Sequence, residues 1–154
     1  MRKVLGDAHT DAPKVELSRH APFSSTNNHS MLVYKNDFRK ANLWREMGVP
    51  EIGCRVERMR SQVEANGITQ FVFMVAPDKL TAYADFLADE GLRGISQLPE
   101  LSGHHSEMMP RLDLALISAI RRGEEDVYLP DDTHWGSSGY RIVAETLLQF
   151  LTLP

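Results

Sequence analysis

The chain has 154 residues, 42% hydrophobic and 25% charged, with a formal net charge of -4, a make-up that fits one ordinary globular domain spanning residues 1–154. The acidic balance argues against general nucleic-acid binding, which needs clustered Lys and Arg to neutralise phosphates. The one cysteine, Cys54, leaves no intrachain disulfide and no cysteine-based metal site.

Met1-Arg2-Lys3 is basic but runs at once into Gly6-Asp7, without the apolar core of an export signal. No run of about 18 apolar residues offers a membrane span. Lys3 to Thr10 reads as a short strand entering a turn. Residues 11 to 30, rich in Pro, Ser, Asn and His, read as a loop that carries the hydroxyls of Ser24, Ser25 and Ser30. Met31-Leu32-Val33-Tyr34 reads as a buried strand ending at Lys35-Asn36-Asp37, followed by a short helix or turn from Phe38 to Met47 with Trp44 as a packing anchor.

From Glu51 to Asn66, Ile52, Val56, Met59 and Val63 make one helical stripe, closed by Asn66-Gly67. Cys54 on this helix is expected to be a buried or half-buried thiol. Ile68 to Val75 is a long apolar run, the pattern of a strand buried on both faces of a parallel sheet. Pro77-Asp78-Lys79 stops it. Thr81 to Leu87 reads as helix, Ala88 to Ser106, with its scattered Gly, Pro and His, as a long loop over the site, and Arg111 to Arg122 as a helix with Leu112, Leu116 and Ile120 on its apolar face, ending at Gly123. His104-His105 are chain neighbours that do not face one another, so neither a metal centre nor a cofactor is expected there. Together these elements predict an α/β fold, a three-layer α/β/α sandwich with a mostly parallel sheet.

The densest chemistry lies in Asp131-Asp132-Thr133-His134-Trp135-Gly136-Ser137-Ser138-Gly139-Tyr140. Val127-Tyr128-Leu129 reads as a strand end stopped by Pro130, and Ser137 or Ser138 as the cap of a helix with Val143, Leu147 and Leu151 at helical spacing. His134 then sits on a loop at a strand end, where open α/β sheets place their ligands. A carboxylate one to three residues away can accept the Nδ1 proton and leave Nε2 free as a base.

At this point DDTHWGSSGYRIVAETL resembles the Asp/His block of the SGNH hydrolase superfamily. It resembles more narrowly the DTHW pattern of alginate O-acetyltransferase proteins of the AlgX and AlgJ type. The resemblance extends back through GITQFVFMVAPDKLTAYADFL. It implies a carbohydrate O-acetyltransferase or O-acetylesterase acting on acetylated polysaccharide outside the cytoplasmic membrane. His134 would be the general base, with Asp132 as its orienter; Asp131 is the alternative register, through the Asp-x-x-His spacing of many SGNH esterases. The resemblance further implies that Asn36 is an oxyanion donor and that Lys79 and Trp135 lie against substrate. Gly6-Asp7-Ala8 is similar to the Gly-Asp-Ser block but carries Ala8 where the nucleophilic serine belongs, so the nucleophile is replaced or absent. In the alginate proteins the serine block follows the DTHW block, a position beyond Pro154. The alternative expectation is a catalytically inactive polysaccharide-binding module or a truncated fragment.

Overall fold

A computed structural model describes residues 12–152. The fold is mixed α/β and mostly helical. Its sheet has two strands, β1 (Lys14–Glu16) and β2 (Ser30–Leu32), paired antiparallel with Val15 opposite Met31. Six α-helices follow among the described residues: α1 (Lys35–Met47), α2 (Val49–Val63), α3 (Lys79–Ala82), α4 (Leu98–His104), α5 (Leu112–Arg121) and α6 (Ser137–Thr152).

Two apolar cores organise these elements. The larger gathers Val15 and Met31 from the sheet, Leu80 from α3, Leu116 and Ile120 from α5, Val127, Tyr128, and Ile142 and Val143 from α6. The smaller joins Ile52 and Val56 of α2 to Leu98 and Leu101 of α4 and to Met108 and Met109. Helix α1 serves both, with Phe38 against the first core and Trp44 against the second.

The mixed α/β class agrees with the expectation, but a three-layer sandwich with a mostly parallel sheet is not shown: among the described residues the two-stranded antiparallel ladder is the only sheet. The run Ile68 to Val75 explains the difference. Phe71, Phe73 and Val75 pack on the smaller core, but Ile68 is 91% and Met74 47% exposed. The run is apolar on both sides, yet only one side meets a partner, and its backbone amides bond outside any ladder: Ile68 and Thr69 to the Asn66 side chain (3.1 and 3.0 Å), Phe71 to the Glu64 carboxylate (3.0 Å) and Phe73 to the Met108 carbonyl (2.9 Å). Val127 to Leu129 likewise makes no ladder. Tyr128 instead forms an isolated antiparallel bridge with Trp135, so the chain doubles back on itself at once.

Other boundaries move as well. Lys14–Glu16 is a strand inside the expected loop, and Leu98–His104 is a helix inside another, begun by Pro99 in its first turn, where the missing N–H costs nothing. Cys54 is exposed, off the stripe of Ile52 and Val56 that meets the core. Gly67 caps the turn after α2 in the left-handed region, as its position predicts.

Candidate functional site

The loop after Tyr128 is shaped by hydrogen bonds that the Asp-Asp-Thr-His order alone does not reveal. Leu129 N–H reaches the His134 carbonyl at 3.3 Å and Gly136 N–H the Val127 carbonyl at 3.1 Å, closing a tight excursion that carries residues 130–134. Lys79, only 2% exposed, supports this excursion from beneath. Its Nζ donates to the carbonyls of Leu129 (2.6 Å), Pro130 (3.1 Å) and Asp132 (2.9 Å). Burial pulls the Lys79 ammonium down to about 8, against the pull of Asp131 and Asp132, which favours the charged form. The Tyr128 hydroxyl donates to the Pro77 carbonyl and joins the loop to the segment ahead of α3. At the start of that helix Asp78 caps the Thr81 amide at 2.8 Å.

On this support Asp132 and His134 form a pair. Asp132 Oδ1 lies 2.6 Å from His134 Nδ1, and the same oxygen accepts the His134 backbone N–H at 3.1 Å. The imidazole is exposed, and the other ring nitrogen is left free to exchange a proton. The histidine contact and then its backbone amide hold the Asp132 carboxyl below the ordinary value of 3.8. In a His134→Ala variant the Asp132 carboxyl is expected to titrate closer to 3.8, read by carboxyl-detected NMR. An unmoved titration would assign the depression to backbone amides alone.

His134 and Thr133 edge a cavity of about 290 Å³ at the seam between the two cores. Helix α1 contributes Asp37, Lys40, Ala41 and Trp44 to its wall. This i, i+3, i+4, i+7 spacing lays one helical stripe along the cavity. Opposite lie Pro77, Asp78 and Lys79, and Gln97 and Leu98 from the start of α4. Asp37 is buried, and burial first, then the neighbouring Asp78, raises its carboxyl above 3.8. The wall thus offers an aromatic face, two carboxyls and an amide around an exposed imidazole.

The residues expected from the sequence are distributed unevenly. His134, Asp132 and Lys79 come together. Asp131 is exposed and acts on Lys79 through its charge, whereas the histidine takes its hydrogen bond from Asp132. Asn36 is not on the cavity wall. It donates to the Tyr34 hydroxyl at 2.7 Å, and Tyr34 is on the wall. Trp135 stands edge-on to Tyr128 and Tyr140 and packs on the larger core, away from the cavity. Ser24, Ser25 and Ser30 bond to Asp126, Asn27 N–H and Asn27 Oδ1, respectively. Ala8 lies outside the described residues. Asp37, Gln97 and Ser96 were missed by sequence reasoning; the α1 stripe was the available signal for Asp37, and the reading of Ala88 to Ser106 as a loop over the site covers the other two without singling them out.

No protein-family model, no curated protein and no solved structure matches this chain. No described helix is long and apolar enough to cross a membrane.

Proposed function

We propose that the cavity is the acyl-transfer site of an SGNH-like carbohydrate O-acetyltransferase or O-acetylesterase. The observation that carries the reading is the 2.6 Å Asp132–His134 contact at the edge of the cavity. In this mechanism His134 Nε2 takes a proton from water or from a sugar hydroxyl as that oxygen attacks the ester carbonyl. The carbonyl becomes an oxyanion, the leaving alkoxide recovers the proton, and Asp132 stabilises the imidazolium in between. The Tyr34 hydroxyl accepts its hydrogen bond from Asn36, so its own proton is free for the oxyanion. Asn36 then acts through Tyr34. Trp44 offers a sugar face, and Asp37, Asp78 and Gln97 offer hydroxyl partners, the mixture that small-ligand cavities use for orientation. On this reading residues 68–75 and 127–129 correspond to strands of the superfamily's three-layer sandwich, and acetylated polysaccharide, outside the cytoplasmic membrane, is the partner.

A second reading, a binding module that holds acylated polysaccharide without turnover, is favoured by a different observation. Among the described residues the His134 ring bonds to Asp132 and to no serine hydroxyl. Acetate release from O-acetylated oligosaccharides, followed by NMR, separates the two. The first reading expects release that falls by about 10²- to 10⁴-fold in His134→Ala, the usual worth of a general base. Saturable binding of the oligosaccharide without release would select the module. With p-nitrophenyl acetate the chain is expected to be little faster than free imidazole, because no serine is held on the dyad. Rapid turnover with a trapped acyl-serine would overturn that expectation.

A further inference from the structure

Away from the cavity, α2 and the turn after α4 bring together donors that the chain order keeps far apart. Glu57, His105 and Glu107 each offer one ligand atom, and the three atoms lie within 4.8 Å of one another. His105 Nδ1 stands 3.4 Å from Glu57 Oε1 and 3.9 Å from Glu107 Oε1. Both carboxylates face the same ring nitrogen, and neither is at the length of a good N–H···O bond. A zinc ion holds imidazole nitrogen and carboxylate oxygen at about 2.0–2.2 Å, so two of its donors at a tetrahedral angle stand about 3.4 Å apart. The spacing found here suits three donors around one small cation better than it suits a hydrogen-bonded ring.

Two further observations support a cation. The ring lies close against α2: a Cβ at Gly53 would stand 2.5 Å from His105 Nε2, so any larger residue at 53 would shift the imidazole from this place. With Nε2 against Gly53, Nδ1 is the nitrogen that faces the carboxylates. The local charge is also unbalanced. Arg60 is the cation paired with this group among the described residues, and its closest bond is Nε to Glu64 at 3.1 Å, while it lies 3.9 Å from Glu57 and 3.6 Å from Glu107. Glu64 is occupied on its other oxygen by the Phe71 amide. Three carboxylates against one guanidinium leave two negative charges beside a histidine, the charge a divalent ion neutralises.

The geometry points to a divalent-cation site of zinc type formed by Glu57, His105 and Glu107, with a fourth coordination position left for water. It ties α2 to the chain that leaves α4, and α4 begins at Leu98 on the cavity wall. The site is independent of the acyl-transfer reading. His104, the exposed neighbour, takes no part, and the only competing imidazole pair among the described residues is His20 with His29, whose ring centroids are 4.2 Å apart.

Titration of the untagged chain with zinc chloride by calorimetry, and with cobalt(II) by visible absorption, tests the assignment. One equivalent is expected to bind, with the intense bands of tetrahedral cobalt. His105→Gln and Glu107→Gln are each expected to weaken it about tenfold or more, since even outer-shell changes cost about 10–100-fold in metal affinity. Glu107 is exposed and its substitution leaves the core untouched, so loss of binding in that variant reads the site and not the fold. His20→Ala is expected to leave affinity unchanged. Absence of binding, affinity that survives both substitutions, or affinity that follows His20 or His134 would each overturn the site.

Discussion

Alanine at Gly139 is expected to cost about 3 kcal/mol or more of folding stability, the upper part of the range for forcing atoms into a packed interior. That is a large share of the roughly 5–15 kcal/mol available to a domain. A Cβ on Gly139 would run into the carbonyl oxygen of Val127 and stand 2.9 Å from the Trp135 Cβ. Neither obstacle is a side-chain tip that can rotate away. The Val127 carbonyl is fixed by the Gly136 amide, and Val127 and Tyr128 are 0% and 2% exposed, so yielding at this point moves the larger core. Gly136 meets the same limit against the Asp126 carbonyl, and Asp126 already sits at φ 52. The control is Gly123→Ala. Gly123 has φ 87 and open space around it, so its substitution should cost only the left-handed strain of about 1–2 kcal/mol. Urea unfolding of the two variants makes the comparison. Equal losses would mean that α6 does not press on Val127, and the position of the loop that carries His134 would need another explanation.

These glycines show what the sequence could and could not convey. Gly136 lies between His134 and α6 and Gly139 lies inside α6, and the reason for both is a close approach to the backbone of residues 126 and 127, which no local pattern conveys. The pairing of Asp132 with His134 was readable because it is local: two residues apart, the carboxylate reaches both the ring and the amide of the histidine. The stripe Asp37, Lys40, Ala41 and Trp44 was less readable because it is polar at two of four positions, and hydrophobic periodicity registers only faces that meet a core. Asn36 and Asp37 are about 100° apart on a helix, so only one of them can face the cavity. The run at Ile68 to Val75 misled for the opposite reason. Apolarity on alternate sides implies burial only if a partner exists for each side, and partners are a tertiary fact. The helix Leu98–His104 is hard to read because a proline and a glycine fall within its seven residues, although Pro99 lies in the first turn, where it is tolerated.

Lys79 carries the second large effect, on the alkaline side of the stability profile. Its folded ammonium titrates at about 8 against 10.5 for the unfolded chain. Between those values the unfolded state holds more protons, so stability rises with pH. From pH 8 to pH 10 the gain should be about 2 kcal/mol, at about 1.36 kcal/mol for each tenfold difference in proton affinity and allowing for partial titration at each end. Above about pH 10 the sign reverses. Burial raises the hydroxyls of Tyr83 and Tyr128 above their ordinary 10.0, so the unfolded chain ionises first and stability falls. Denaturant midpoints measured across this range should therefore pass through a maximum near about pH 10. Lys79→Met should remove the rising limb and keep the fall. The same substitution leaves the Leu129 and Asp132 carbonyls without their donor, at about 1–3 kcal/mol for each buried acceptor, whereas Pro130 keeps the Leu32 amide at 2.8 Å. Removing the buried charge offsets part of that loss, so the damage should concentrate in the loop. Hydrogen exchange at residues 129–136 should quicken more than at Leu116 or Ile120 on α5. A rising limb that persists in Lys79→Met, or loop exchange no faster than in the parent, would mean that Lys79 is not what holds His134 at the cavity.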